Sequence, residues 1–359
     1  MIDGCSTLMR FDGTVTTSPI VMAHRSPIVI AHRGTPGVRL EHTRPSYLLA
    51  IEQGCDYIEP DVVATKDGVL VVRHENEIGG TTDVADHPEF SDRRTTKTID
   101  GKDLTGWFTE DFTLAELKTL RAKERIPKTR PHNVPLAGVE PILTFAEVLQ
   151  IAAAADREVG VYVETKHPTH FRGCGLDLDD LLIADLEEHG VNTPDATIVI
   201  QSFETNLRSL RPRTPAFLVQ LMNDKGAPAD LVAAGDPRRY ADLRTPEGLE
   251  WVASYADGIG PHKHLVVTLG ADGELGAPTT LVDDAHSAGL DVHIWTMRDE
   301  NEFLPASLRS SENDSDRGDA VAEYGPFFDA GIDGLFSDYT STAVAARDQW
   351  LAGSPPAGG

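Results

Sequence analysis

The stretch from Ile28 to Thr82 reads IVIAHRG, then LEHT, then YIEPDVVATKDGVLVVRHE, and ends in GGTT. His32 and His74 are residue types that trade protons near neutral pH. Glu59 and Asp61 can hold a hard metal ion, and Arg33 can hold a phosphate. Each of these groups stands at or just past the end of a short apolar run. Together they are the equipment for metal-assisted cleavage of a phosphodiester. Such a reaction needs one proton taken from a nucleophile and one given to a leaving alcohol. His32 and His74 could divide that work.

His32-Arg33-Gly34 follows four apolar residues, so His32 is expected at the C-terminal end of a strand. Gly34 permits a sharp turn or close approach of the backbone to a ligand. The plainer alternative is a capping histidine beside a surface arginine. Glu59 and Asp61 are two apart on a strand and therefore share a face. They would bind a cation, or form an ion-paired couple at a strand end. Pro60 between them cannot donate to a sheet ladder, a conflict that eases if the strand ends there. Glu164 ends a later run and adds a third carboxylate, with Lys166 on the same face. Lys166 could bind a phosphate oxygen, neutralise Glu164, or both. An all-oxygen set favours Ca²⁺, Mg²⁺ or Mn²⁺ over zinc or copper. Trp295 could pack against an apolar part of a substrate or belong to the core. Most of His42, His167, His262, His264 and His293 are expected to be satisfied polar residues rather than catalysts.

These residues need a scaffold. Eight short apolar runs read as strands: 28–32, 57–62, 160–165, 197–202, 216–221, 257–261, 291–296 and 333–338. Helical patterns lie between most of them, among them RPSYLLAIEQG, LTFAEVLQIAAAA and DLDDLLIADLEEHG. Alternating strands and helices predict a parallel sheet with right-handed crossovers, and eight units close into a (β/α)8 TIM barrel, here over 28–347. VLVVRH reads as a strand hairpinned onto the second through the turn at Asp67-Gly68. Residues 76–140 form an insertion between strands 2 and 3, expected to be a subdomain or lid. Within it DFTLAELKTL reads as one helix, with Thr113 and Glu116 as a capping box. Residues 298–320 are expected to be a mobile acidic loop at the strand-end face. Residues 1–27 read as an N-terminal extension and 348–359 as a disordered tail.

A chain of 359 residues can bury its core without staples, and its formal net charge is −25. That charge argues against nucleic acid and anionic membrane surfaces as partners. No run approaches the roughly 20 apolar residues that span a bilayer, so no stable membrane insertion is expected. An anionic substrate would have to be drawn in by local cations. Three cysteines, Cys5, Cys55 and Cys174, do not suggest a disulfide framework, although one pair could form. No secretory signal is visible at the N-terminus, which leaves a cytoplasmic protein or a missing export signal. Serine-hydrolase, P-loop and zincin motifs are absent from the sequence.

HRG (32–34), EHT (41–43), IEPDVVATKDGVLVVRHE (58–75), TTDVA (81–85), VETK (163–166), QSFE (201–204), YADGIGP (255–261), HIWT (293–296) and DGLFSD (333–338) together resemble the glycerophosphodiester phosphodiesterases. TTDVA and the long insertion are most similar to the bacterial periplasmic branch. The resemblance implies a small-molecule glycerophosphodiester as partner, for example glycerophosphocholine or glycerophosphoethanolamine. The products would be sn-glycerol 3-phosphate and an alcohol, and the site a periplasmic or secreted one. It implies His32 and His74 as the acid–base pair and Glu59, Asp61 and Glu164 as ligands to a divalent metal, Ca²⁺ first. Arg33 and Lys166 become the phosphate contacts, with Glu41 and Trp295 as further pocket candidates. Two departures stand out: His42 where the family has Asn, and Pro60 in place of an apolar residue. A phospholipase-D-like or teichoic-acid-cleaving enzyme on the same barrel is one alternative. A barrel that only binds phosphodiesters is another.

Overall fold

In the computed structural model, which describes residues 26–353, the eight apolar runs close into a parallel barrel. The strands are β1 (Ile28–His32), β2 (Tyr57–Glu59) continued by β3 (Asp61–Ala64), β7 (Gly160–Thr165), β8 (Ile198–Ser202), β9 (Phe217–Met222), β10 (Gly258–Pro261), β13 (Asp291–Met297) and β14 (Gly334–Ser337). β1 pairs with β2 on one side and β14 on the other, which shuts the ring. Pro60 splits the second barrel strand as its missing N–H requires. β2 pairs with β1, β3 takes over against β7, and the Pro60 carbonyl still accepts from the Glu164 amide at 3.0 Å. β4 (Leu70–Val72) folds back antiparallel on β3 through the expected Asp67-Gly68 turn.

Alternation along the strands connects the barrel interior to the chemistry above it. Ile28, Ile30, Tyr57, Tyr162, Val199, Phe217, Val219 and Phe336 form one buried cluster. Two residues on from members of this set stand His32, Glu59, Glu164, Gln201 and Asp338. Side chains two apart share a face, so the packed layer fixes where the polar layer begins. The larger apolar core lies between the barrel and its helices. The helix Phe145–Ala153 shows how these form: Thr144 and Glu147 make a reciprocal capping box, and Val148, Leu149 and Ile151 turn inward. Burial of each such side chain is worth about 1.5–3 kcal/mol.

Three expectations need correction or refinement. The helix expected over 111–120 is only Leu114–Leu117; its Thr113–Glu116 capping box is present, but the chain turns away to form an isolated bridge at Arg121. The expected tail is ordered through Gly353, because the helix Thr340–Gly353 brings Trp350 onto the Phe328 ring and its indole N–H to Asp329. The loop 298–320 begins buried: Glu300 binds Arg130 and Tyr339, and Asp299 binds Thr342. The region 76–140 holds the hairpin of β5 (Thr95–Ile99) and β6 (Lys102–Gly106), and a second hairpin, β11 (Val267–Leu269) with β12 (Leu275–Pro278), follows β10. The expected extension lies outside the described residues up to position 25, as does the tail beyond 353.

Candidate active site

The ends of β1, β2, β3 and β7 bring the predicted residues together. In the register of the sheet His32 is opposite Glu59, and Asp61 is opposite Glu164. Oxygens of Glu59, Asp61 and Glu164 lie within 4.8 Å of one another, and all three residues are buried. Lys166 reaches Glu164 at 2.6 Å and Asp61 at 3.1 Å. Its position therefore realises the neutralising role considered for it. Burial, Asp61 and Glu164 push the Glu59 carboxyl well above its usual range. Burial opposes charge on Asp61, but Lys166, His74 and His42 outweigh it and hold Asp61 well below. Burial pushes Glu164 up to about 8 against the pull of Lys166. Two of the three buried carboxylates are thus pushed toward their protonated forms, and Asp61 stays ionised beside Lys166; a bound cation would let all three ionise. Asp61 Oδ1 faces the Lys166 ammonium at 3.1 Å, and Asp61 Oδ2 faces His42. This oxygen-only donor set fits a hard divalent cation.

His32 and His74 are each oriented through Nδ1. His32 Nδ1 lies 2.5 Å from Asp338 Oδ1, and His74 Nδ1 lies 2.5 Å from Glu75 Oε1. Asp338 is held well below the usual carboxylate range by Arg298, Arg130 and His32, which overcome its burial. An ionised carboxylate can only accept, so His32 Nδ1 carries the proton and Nε2 is left with the lone pair. Glu75 is drawn far down by His74 and Arg125 despite burial, which gives His74 the same tautomer. Burial and Arg33 lower the His32 imidazole to about 4. Burial, Arg33 and Lys166 lower His74 to about 3. Both rings are thus neutral bases at pH 7.

Arg33 adopts a left-handed backbone (φ 57°), and Gly34 follows at φ 94°. A Cβ on Gly34 would stand 2.4 Å from Ser46 Oγ, so the turn needs glycine. The turn directs the Arg33 amide to Glu59 Oε2 at 2.7 Å and its guanidinium to Glu41 at 3.1 Å. Glu41 is clamped by Arg125 at 2.6 and 2.7 Å, and Arg125 also reaches Glu75 at 2.7 Å. His42, the first departure, is fully buried; it bonds Asp61 Oδ2 at 2.9 Å and the Tyr47 hydroxyl at 2.8 Å. It is a satisfied polar residue, as expected, and it also steadies a carboxylate of the cluster.

His32, Arg33, Glu59, His74, Glu164, Lys166 and Trp295 all line a cavity of about 1020 Å³. A neighbouring recess of about 280 Å³ shares His32, Arg33, His74 and Arg298 and adds Glu41, Arg125 and Arg130. Trp295 is half-buried, donates to the Gly260 carbonyl at 2.8 Å and meets Phe203 edge-on at 5.5 Å. It is both packed and part of the wall. Sequence reasoning missed Asp338, Gln201, Glu75, Arg125, Arg130 and Arg298 as site residues. Strand alternation marks Asp338 and Gln201, which donates weakly to Glu59 at 3.4 Å. Nothing local marks the arginines, which arrive from remote loops.

A closed parallel barrel with paired histidines, a carboxylate cluster and arginines at its C-terminal face defines a phosphodiesterase-type site. The sequence model of the Glycerophosphoryl diester phosphodiesterase family matches residues 32–342, and the chain belongs to that family. A glycerophosphodiester phosphodiesterase of Arabidopsis thaliana is 37% identical over 91% of this chain and 85% of its own length. One from Haemophilus influenzae is 27% identical over 90% and 88%. A solved structure from Silicibacter pomeroyi superposes with a TM-score of 0.63 at 23% identity, over 91% of this chain and 95% of that one. An Oleispira antarctica phosphodiesterase in complex with the product sn-glycerol-3-phosphate has a TM-score of 0.56 at 21% identity, over 90% and 97%.

Proposed function

We propose that this phosphodiesterase hydrolyses small glycerophosphodiesters, such as glycerophosphocholine and glycerophosphoethanolamine, to sn-glycerol 3-phosphate and the free alcohol. The observation that carries this reading is the pair of imidazoles, each anchored through Nδ1 to a carboxylate, in one cavity with Glu59 and Glu164 of the carboxylate cluster. One imidazole takes the proton of the attacking hydroxyl at Nε2, and its carboxylate partner steadies the imidazolium that forms. The other delivers a proton to the leaving alcohol; a bound phosphodiester anion favours the charged form it needs. Arg33 and Lys166 bind the non-bridging phosphate oxygens.

Glu59, Asp61 and Glu164 would hold the divalent cation, Ca²⁺ first and Mg²⁺ or Mn²⁺ as alternatives. When bound, the ion polarises the phosphoryl group and offsets its charge. The outer cavity wall carries Phe203, Tyr240 and Trp295 beside Glu204 and Asp100. Such a wall suits a cationic head group such as choline. The product complex of the Oleispira antarctica protein supports sn-glycerol 3-phosphate as the product here.

The test is release of sn-glycerol 3-phosphate from glycerophosphocholine. His32→Ala and His74→Ala are expected to lose roughly 10²- to 10⁴-fold in kcat while keeping the wild-type fold. Near wild-type turnover by either variant overturns the assignment.

A further inference from the structure

Across the rim of the cavity lies a second group of potential ligands with a different chemical character. Glu110 sits in the turn Thr109–Asp111, next to the β5–β6 hairpin. His170 lies in the helix Pro168–Gly173 that follows β7, and Cys174 caps that helix. His170 and Cys174 are four apart on a helical turn, so they present to one side. The donor atoms of Glu110, His170 and Cys174 lie within 4.8 Å of one another. His170 Nε2 is 3.7 Å from Cys174 Sγ and 2.8 Å from Glu110 Oε1.

We propose that Glu110, His170 and Cys174 form a zinc-binding site that pins the inserted hairpin region to the barrel rim. Nitrogen, sulfur and oxygen donors together suit Zn²⁺, whereas the all-oxygen cluster of the active site suits a hard ion. With usual Zn–S and Zn–N bonds, a tetrahedral nitrogen and sulfur stand about 3.6 Å apart, close to the separation here. Glu110 must move out by about half an ångström, exchanging its hydrogen bond with His170 for a bond to the ion. Glu110 is almost fully buried, while Cys174 is exposed, so the ion has both a shielded anchor and a route in. The thiol proton is released to solvent on binding. Lys97 now bridges Glu110 at 2.9 Å and Asp111 at 2.8 Å, and retains Asp111 when the ion takes Glu110. The remaining tetrahedral position is left for water.

The site stands apart from the residues of the proposed reaction, and metal binding rather than turnover tests it. The full chain is stripped of metal, kept reduced, saturated with Mg²⁺ to fill the oxygen cluster, and titrated with Co²⁺. One equivalent is expected to produce a thiolate-to-cobalt charge-transfer band that Zn²⁺ abolishes. Cys174→Ser and His170→Gln lose the band, and Cys5→Ser keeps it. Zn²⁺ raises the Tm of the wild type and not that of Cys174→Ser. Absence of the band, its survival in Cys174→Ser, or its loss in Cys5→Ser overturns the proposal.

Discussion

His32 is held by Asp338. The aspartate accepts from Nδ1, is itself kept ionised by Arg130 at 2.5 Å and Arg298 at 2.8 Å, and thereby leaves Nε2 basic. Asp338→Asn keeps the shape but can present an N–H to Nδ1 and favour the wrong tautomer. It is expected to lower kcat by at least roughly 10²-fold, with a smaller change in KM, in the glycerol 3-phosphate release assay. A kcat within a few-fold of wild type would show that His32 is oriented by other means. The histidines and the three carboxylates were legible from residue type and position, since each ends an apolar run. Asp338 is less legible: it closes the DGLFSD run, and its local mark is the alternation with Phe336. Arg125 was hidden for a deeper reason. Its bonds to Glu41 and Glu75 span 84 and 50 residues of chain, and no local pattern encodes such pairings.

At the scale of elements, apolar runs and glycine-terminated helices made all eight barrel strands visible in advance. What they concealed was how buried polar groups are used inside the barrel. His293 on β13 stacks with Phe217, bonds the Tyr162 hydroxyl at 2.8 Å, and leaves Nε2 buried without a partner. Burial lowers its imidazole to about 4. Above pH 6.5 the ring is neutral folded or unfolded, and its titration contributes nothing to stability. Between pH 6.5 and 4 the unfolded chain takes up a proton that the folded one refuses, so stability falls. Below pH 4 both forms are protonated and the loss levels off. For this ring alone the loss is about 3 kcal/mol at most. Denaturant unfolding of His293→Phe should show a shallower decline between pH 7 and 4.5 than wild type. Parallel declines would mean that the ring protonates freely in the fold. The short helix Leu114–Leu117 and the ordered end of Thr340–Gly353 were misjudged for a common reason: packing partners, not local propensity, decided where each one stops.

For the whole molecule, the central problem is drawing an anion to a chain of net charge −25. Arg33 and Lys166 were the only protein cations expected at the site. The fold adds Arg125 and Arg130 from the region after strand 2 and Arg298 from the loop after β13, all lining the small recess beside His32 and His74. Arg125 is paired with Glu41 and Glu75, and Arg130 and Arg298 with Asp338, so these arginines offset the carboxylates of the site, while screening over about 8 Å at physiological ionic strength mutes the distant acidic surface. Among the described residues no helix is long and apolar enough to cross a membrane. Glu59, Asp61 and Glu164 are the all-oxygen donors proposed to hold a hard cation, so metal dependence is the sharpest consequence of that proposal. The direct measurement is sn-glycerol 3-phosphate release from glycerophosphocholine before chelation, after chelation, and after separate return of Ca²⁺, Mg²⁺ and Mn²⁺ without zinc. The predicted result is loss of turnover on chelation and recovery with at least one of these hard ions, absent in Glu59→Gln. Undiminished turnover in the chelated enzyme, or full activity in Glu59→Gln, would contradict it.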